Sequence, residues 1–322
     1  MRNRSRLSFV AAFLISLLIT GGFIDVGKPN AALAQIINTY PPLTNVRLIP
    51  VRLPVQPAPI QPRSIQPVPV QPRPSPTLLR SGGLCPSDLA GVIEPIISQP
   101  KYAGAHWGIE VEAASAAAPL YSRDAGSFLV PASNVKLFTT SAALQLLNYG
   151  PQDLPALANR FGIINRESNN DYAEALLRDI GGTAAVQSAL KPLGIDPSTY
   201  RQIDGSGLSH SNLAEPSTIV KLLRAMQTAK GSDLFYHSLS IAGVNGTLTN
   251  RFVNTPVQGQ LHGKTGTLNG VRALSGYLEH PDYGTILFSI MANQPDQGDE
   301  GEGLKSGIDQ VVLQINRLRD CR

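Results

Sequence analysis

Cysteine is scarce in this chain. Of 322 residues only Cys85 and Cys321 are cysteines, and neither sits in a Cys-x-x-Cys pair of the kind that holds zinc or runs dithiol chemistry. The five histidines, His106, His210, His237, His262 and His280, are scattered without ligand spacing, so the sequence offers neither a metal centre nor a clear base for a histidine triad. His262, two residues before Lys264, is the one histidine placed to touch a cleft rim. A glycine-rich phosphate loop and an internal repeat are both missing, which removes the nucleotide-binding and solenoid readings. Acidic residues are absent from 35 to 82, where Arg47, Arg52, Arg63, Arg73 and Arg80 stand alone. Residues 1–34 add Arg2, Arg4, Arg6 and Lys28 against Asp25. Taking these nine bases and one acid from the 27 Lys and Arg and 23 Asp and Glu of the whole chain leaves 18 bases and 22 acids for residues 83–322. A net charge of −4 there, against +4 overall, argues against a nucleic-acid partner for the folded part.

What is present divides into three stretches. Residues 1–34 begin with three arginines in MRNRSR, continue with an apolar run from Leu7 to Ile24, and end in Ala32-Leu33-Ala34. Small residues at both key positions before Gln35 favour a secretory signal cleaved after Ala34. An uncleaved anchor is the competing reading, because 18 apolar residues can just span a bilayer. In residues 35–82 prolines recur every few positions, as in PVRLPVQPAPIQPRSIQPVPVQPRPSP. Backbone lacking so many N–H donors forms neither helix nor central strand, so a polyproline II or disordered linker is expected. It serves as a plain spacer or, through its arginines, holds the protein near anionic cell-wall polymers.

Residues 83–322 read as a folded domain. SDLAGVIEPIIS suggests a helix capped by Ser87, and HWGIEVEAAS with APLYSRDA a hairpin. Helices fit DLPALANRF, SNNDYAEALLRDIGG, TAAVQSALKPLG and PSTIVKLLRAMQTAKG. GVRALSGYLEH and GTILFSIMAN read as neighbouring strands, and Leu304, Ile308, Val311, Val312, Ile315 and Leu318 recur at helical spacing in a final helix. Strands thus flank a block of helices, as in a sheet built from both chain ends.

The chemistry centres on LVPASNVKLFTTSAALQLL. Pro131 suits a helix entrance, and residues three apart share a face, so Lys136 can reach back to the Ser133 hydroxyl beside the unpaired N–H groups of the first turn. A serine hydroxyl attacks only when a neighbour takes its proton, and a lysine does that only if its own pKa is lowered. Downstream lie Ser168-Asn169-Asn170 and Lys264-Thr265-Gly266. Ser-x-x-Lys, Ser-x-Asn and Lys-Thr-Gly in that order form the set of class A β-lactamases and penicillin-binding proteins. Ser168 has two readings, a helix N-cap or a proton carrier to a leaving nitrogen. Asn170 is expected to bind a substrate amide, while Lys264, Thr265 and Thr267 offer charge and hydroxyls to a carboxylate. Gly266, on an apparent edge strand, leaves room for a ligand.

The segments LVPASNVKLFTTSAAL, ESNNDYAEALLRDIGG, DGSGLSHSNL, IAGVNGTLTNRF and GKTGTLNGVRALSGYLEHPDYGTILFSIMANQ resemble the D-alanyl-D-alanine carboxypeptidase/endopeptidase family of penicillin-binding proteins, the penicillin-binding protein 4 type, from about residue 85 onward. The resemblance implies a mixed α/β (α+β), serine β-lactamase/transpeptidase-like fold: an antiparallel sheet flanked by helices plus a helical subdomain. It implies first and last helices side by side on one sheet face, and with them a Cys85–Cys321 disulfide, against the alternative of two free thiols. It implies acylation of Ser133 by peptidoglycan stem peptides ending in D-Ala-D-Ala, with the backbone N–H groups of Ser133 and Thr267 as oxyanion hole. β-Lactam antibiotics would acylate the same serine, and the protein would be exported, periplasmic or cell-wall associated, without a cofactor or a membrane span in its mature form.

Two departures from the family pattern stand out. Ser133 and Ser168 are only 35 residues apart, where family members usually carry long insertions, and Asn245 replaces the usual aspartate before Gly-Thr-Leu. Asp204-Gly205-Ser206-Gly207-Leu208-Ser209 reads as a structural turn near the site. A non-catalytic cell-wall-binding module and a β-lactamase are the rivals. The latter lacks a Glu-x-x-x-Asn segment after Ser168, and Glu174 falls inside the following helix.

Overall fold

The computed structural model of the chain describes residues 83–116, 118–294 and 302–321. The signal or anchor expected over 1–34 and the linker over 35–82 lie outside the described residues. Among those described, no helix is long and apolar enough to cross a membrane.

The order of elements follows the apolar periodicity. A 3-10 turn, Pro86–Asp88, leads into helix α1, Leu89–Ile97. Strands β1, His106–Ala113, and β2, Pro119–Arg123, form the expected hairpin. Six helices follow before the sheet resumes, the first five being α2, Val135–Leu146; α3, Leu154–Asn165; α4, Asn170–Asp179; α5, Gly182–Leu190; and α6, Pro216–Met226. Two-residue strands β3, Tyr200–Arg201, and β4, Leu213–Ala214, pair between α5 and α6. Helix α7, Ser232–Ser238, precedes strands β5, Ser240–Ile241; β6, Leu261–Leu268; β7, Val271–His280; and β8, Gly284–Asn293. Helix α8, Glu302–Ile315, comes last.

One antiparallel sheet runs in the order β2-β1-β8-β7-β6-β5. β7 and β8 are central and covered on both faces, which explains why their sequences are nearly continuous in apolar residues rather than alternating. Alternation still sorts their side chains between two cores. Ala273 and Tyr277 face the helical layer with Leu137 and Phe138, whereas Leu274 and Leu278 face α1 and α8 with Ile93 and Ile308. Leu89, Ile93 and Ile97 recur every four residues and bury one stripe of α1 against Leu304, Ile308, Val311, Val312 and Ile315 of α8. The two ends of this layer are joined by the Cys85–Cys321 disulfide, with Cα atoms 5.7 Å apart.

One local expectation needs correction. Ser87 does not cap α1: it lies within the Pro86–Asp88 turn, where the Cys85 N–H donates to Asp88 Oδ2 at 2.9 Å. Pro86 presets the helical backbone angle two residues early and an acid in the first turn satisfies a free donor, so the serine is not needed. The edge-strand placement of Lys264, Thr265 and Gly266 agrees with the sheet. β5 pairs with His262 and Gly263, so only from Lys264 onward does that side of β6 lack a strand partner among the described residues.

Candidate active site

The nucleophile candidate sits where three elements meet. Ser133 lies in a 3-10 turn, Ala132–Asn134, that runs directly into α2, as the Pro131 entrance suggests. Asn134 holds the turn to the sheet, its Nδ2 donating to Ser275 Oγ on β7 at 3.0 Å. The turn can press against β6 because Gly266 has no side chain: a Cβ there would lie 2.6 Å from the Pro131 carbonyl oxygen. Gly266 therefore makes room for the serine-bearing backbone.

One turn along α2, Lys136 is fully buried and its Nζ lies 2.9 Å from Ser133 Oγ. The same amine donates to Asn170 Oδ1 at 2.8 Å and makes a short contact with the Ser206 carbonyl oxygen. Burial lowers the Lys136 pKa from its ordinary 10.5 to about 8, although the negative charges of Asp204 and Glu174 pull it back up. These contacts decide the orientation of the neutral amine. An uncharged –NH2 has two hydrogens and one lone pair, and the Asn170 and Ser206 oxygens can only accept. They take the two hydrogens, and the lone pair is left facing the Ser133 hydroxyl. That is the arrangement in which a lysine can accept a serine proton.

The second lysine is equally enclosed. Lys264 on β6 is fully buried and donates to Ser168 Oγ at 2.8 Å and to the Thr265 carbonyl oxygen at 2.9 Å. Its pKa is held well below the usual lysine range, first by burial and then by the charge of Lys136. The N-cap of α4 is Asn169, whose Oδ1 accepts from the Tyr172 N–H at 3.0 Å, so the capping reading of Ser168 is displaced. Ser168 instead holds a left-handed backbone, φ 58°, which turns its hydroxyl to Lys264. Ala132, beside the nucleophile, is likewise left-handed at φ 48°. For residues with a Cβ such angles cost about 1–3 kcal/mol each and collect where function needs them.

Ser133, Lys136, Ser168, Asn170 and Lys264 thus converge as two hydrogen-bonded pairs linked through the step from Ser168 to Asn170. Thr265 and Thr267 alternate to the other side of β6. They line a polar recess of about 330 Å3 with Thr247, Thr249, Asn250, Arg251 and Lys305, and Thr265 Oγ1 donates to Thr247 Oγ1 at 2.8 Å. His262 is structural, stacked on Tyr236 with ring centres 4.2 Å apart.

The loop from Asp204 to Ser209 is closer to the chemistry than the sequence reading placed it. Its Ser206 carbonyl oxygen meets Lys136 Nζ and lies 3.3 Å from Ser133 Oγ. The loop is shaped by Asp204, which accepts from the Gly207 N–H at 2.6 Å, the Ser209 N–H at 2.7 Å and Asn212 Nδ2 at 3.0 Å. Gly207, at φ 87°, passes so near the nucleophile turn that a Cβ would fall 2.0 Å from the Ala132 carbonyl oxygen. A backbone carbonyl carries no residue-type signature; only the flanking glycines hint at it. Asn245 Oδ1 accepts from the Ile241 N–H at 2.9 Å, a task needing only a side-chain oxygen.

A serine and two buried lysines set between an antiparallel sheet and a helical layer define the serine β-lactamase/transpeptidase class of fold. A β-lactamase from Streptomyces albus G shares the fold, with a TM-score of 0.55 and 16% identity over 71% of this chain and 99% of that one. The chain belongs to the D-Ala-D-Ala carboxypeptidase 3 (S13) family, whose model matches residues 89–152 and 154–315. A D-alanyl-D-alanine carboxypeptidase from an Actinomadura species is 40% identical over 142 residues, 39% of this chain and 26% of that protein. A penicillin-sensitive carboxypeptidase A from Dictyostelium discoideum is 33% identical over 184 residues, 51% of this chain and 35% of that protein. The matched regions amount to about a quarter to a third of these relatives' length.

Proposed function

We propose that the chain is an exported serine-type D-Ala-D-Ala carboxypeptidase, with endopeptidase action as a variant of the same chemistry, and that it is acylated by β-lactams. The observation carrying this reading is the Lys136 amine, buried, 2.9 Å from Ser133 Oγ and also in contact with two oxygens that can only accept, Asn170 Oδ1 and the Ser206 carbonyl. In the proposed reaction Lys136 takes the Ser133 proton as Oγ attacks the peptide carbonyl. Ser168, backed by Lys264, relays that proton from Lys136 to the leaving D-alanine nitrogen, and water then hydrolyses the acyl ester, freeing the peptide acid and restoring the Ser133 hydroxyl. Asn170 binds a substrate amide. Lys264, Thr265 and Thr267 supply charge and hydroxyls for the terminal carboxylate, and the Ser133 and Thr267 N–H groups stabilise the oxyanion. The relatives' names, D-alanyl-D-alanine carboxypeptidase and penicillin-sensitive carboxypeptidase, support the substrate and the inhibitor class. The arginine-led apolar run and Ala32-Leu33-Ala34 support export, with residues 83–322 as the catalytic domain on a proline-rich tether and with no nucleic-acid partner.

β-Lactamase action is disfavoured because Glu174, the glutamate nearest in sequence after Ser168, is engaged by the Gly205 and Ser206 N–H groups. Antibiotic turnover is expected below about one per second, the low end for ordinary enzymes. The test is labelling with a fluorescent penicillin together with D-alanine release from a D-Ala-D-Ala peptide. Wild type should give both and Ser133→Ala neither; equal labelling of the two would withdraw the assignment.

A further inference from the structure

The carbonyl that meets Lys136 is itself held in place from a different element. Ser206 lies in a loop with no regular secondary structure, and a peptide unit there could present either its carbonyl or its N–H to the amine. The Gly207 N–H of that unit is taken by Asp204 Oδ1 at 2.6 Å, and the two preceding units are anchored on α4. Glu174 Oε1 accepts from the Gly205 N–H at 3.1 Å and from the Ser206 N–H at 2.9 Å. Ser206 is thus clamped from both sides, and its carbonyl is directed at Lys136 Nζ and Ser133 Oγ. The glycine at 205 permits this proximity, since a Cβ there would lie 2.5 Å from the Ala173 carbonyl oxygen on the same helix.

We propose that Glu174 is a positioning residue for acyl transfer: by drawing the Gly205 and Ser206 N–H groups toward α4 it keeps the Ser206 carbonyl, whose following N–H is held by Asp204, seated on Lys136, and so turns the amine's lone pair toward Ser133. The inference rests on the acyl-transfer reading given above and extends it to a residue that touches neither nucleophile nor substrate. Without the Ser206 acceptor, the neutral amine has only Asn170 Oδ1 to take a hydrogen. Its lone pair then has no fixed direction, and the second hydrogen can point at the very hydroxyl it must deprotonate.

The charge of Glu174 has a separable effect. The charged groups around Lys136 are Glu174 from α4, Asp204 from the loop and Lys264 from β6; Ser133 and Asn170 are neutral. Glu174 and Asp204 favour the protonated lysine, opposing burial. Removing the Glu174 charge while keeping an acceptor oxygen should therefore let Lys136 lose its proton at lower pH.

The experiment measures the second-order rate of acylation by a fluorescent penicillin against pH, using the full chain. Glu174→Gln keeps a side-chain oxygen able to accept from both N–H groups. It should retain the wild-type plateau rate while the acidic limb of the profile moves to lower pH. Glu174→Ala loses the acceptor, and its plateau should fall about tenfold or more, the scale expected when a reacting group is misplaced. A Glu174→Ala plateau equal to wild type, or a Glu174→Gln plateau that falls as far as that of Glu174→Ala, overturns the proposal. If Glu174→Ala fails to fold, Glu174→Asp, which keeps the charge but draws the acceptor back from the two N–H groups, decides it by the same plateau: a fall supports the proposal and a wild-type plateau overturns it. Ser133→Ala, run in parallel, separates the two levels: wild-type labelling that survives that substitution defeats the acyl-transfer reading itself, whereas its loss combined with indifference to Glu174 defeats only the positioning role.

Discussion

At the scale of single residues, two lysines without charge partners in direct contact govern what the groove can do. Because burial brings Lys136 to about 8, the neutral form needed to accept a proton is the minority below that pH and the majority above it. Acylation of the free protein should therefore rise with pH through about 8 and then level off, as read from penicillin labelling between pH 6 and 9.5. The same shift acts on stability. The folded protein gives up the Lys136 proton near 8 while the unfolded chain keeps it to about 10.5, so between those values the unfolded state binds more protons and stability rises with pH. Below about 8 the burial penalty is present in full. Urea titrations at pH 7.5 and 9.5 should show this gain in wild type and a smaller one in Lys136→Met, which should also lose labelling.

At the scale of elements, the glycines decide how closely the loop, the turn and the strand approach. Gly207→Ala puts a Cβ onto the Ala132 carbonyl at an angle, φ 87°, that a side chain resists. A loss of about 2 kcal/mol or more in unfolding free energy is expected, with labelling reduced because the displaced backbone carries Ser133; thermal melts and the penicillin assay check both. Much of this level was legible beforehand. Period-four apolar residues in α1 and α8 and the apolar runs of β7 and β8 report burial directly, and Ser133, Lys136, Ser168, Asn170 and Lys264 were named by their spacing. What escaped was whatever has no side-chain signature. The Ser206 carbonyl is invisible in a sequence. Glu174 reads as an ordinary acid of an amphipathic helix, since its backbone partners lie 31 and 32 residues away. The start of α1 was misplaced because a proline and an aspartate together outcompete a serine cap.

At the scale of the whole molecule, the disulfide and the apolar seam between α1 and α8 act on the same part of the fold, and magnitudes rank them. Leu89, Ile93, Ile97, Leu304, Ile308 and Ile315 are all buried, and each such side chain contributes about 1.5–3 kcal/mol. A bridge spanning 236 positions contributes about 2–5 kcal/mol. The seam outweighs the bridge. Cys85→Ser should thus lower the melting temperature yet leave a folded protein, with penicillin labelling intact at low temperature because the groove lies on the opposite face of the sheet. The bridge also changes the connectivity of the chain. Everything between Cys85 and Cys321 is a covalent ring, so one protease cut in an exposed loop of the helical layer opens the ring without releasing a fragment. On an electrophoresis gel the nicked protein should run as a single species until a thiol reductant is added, and only then separate into two.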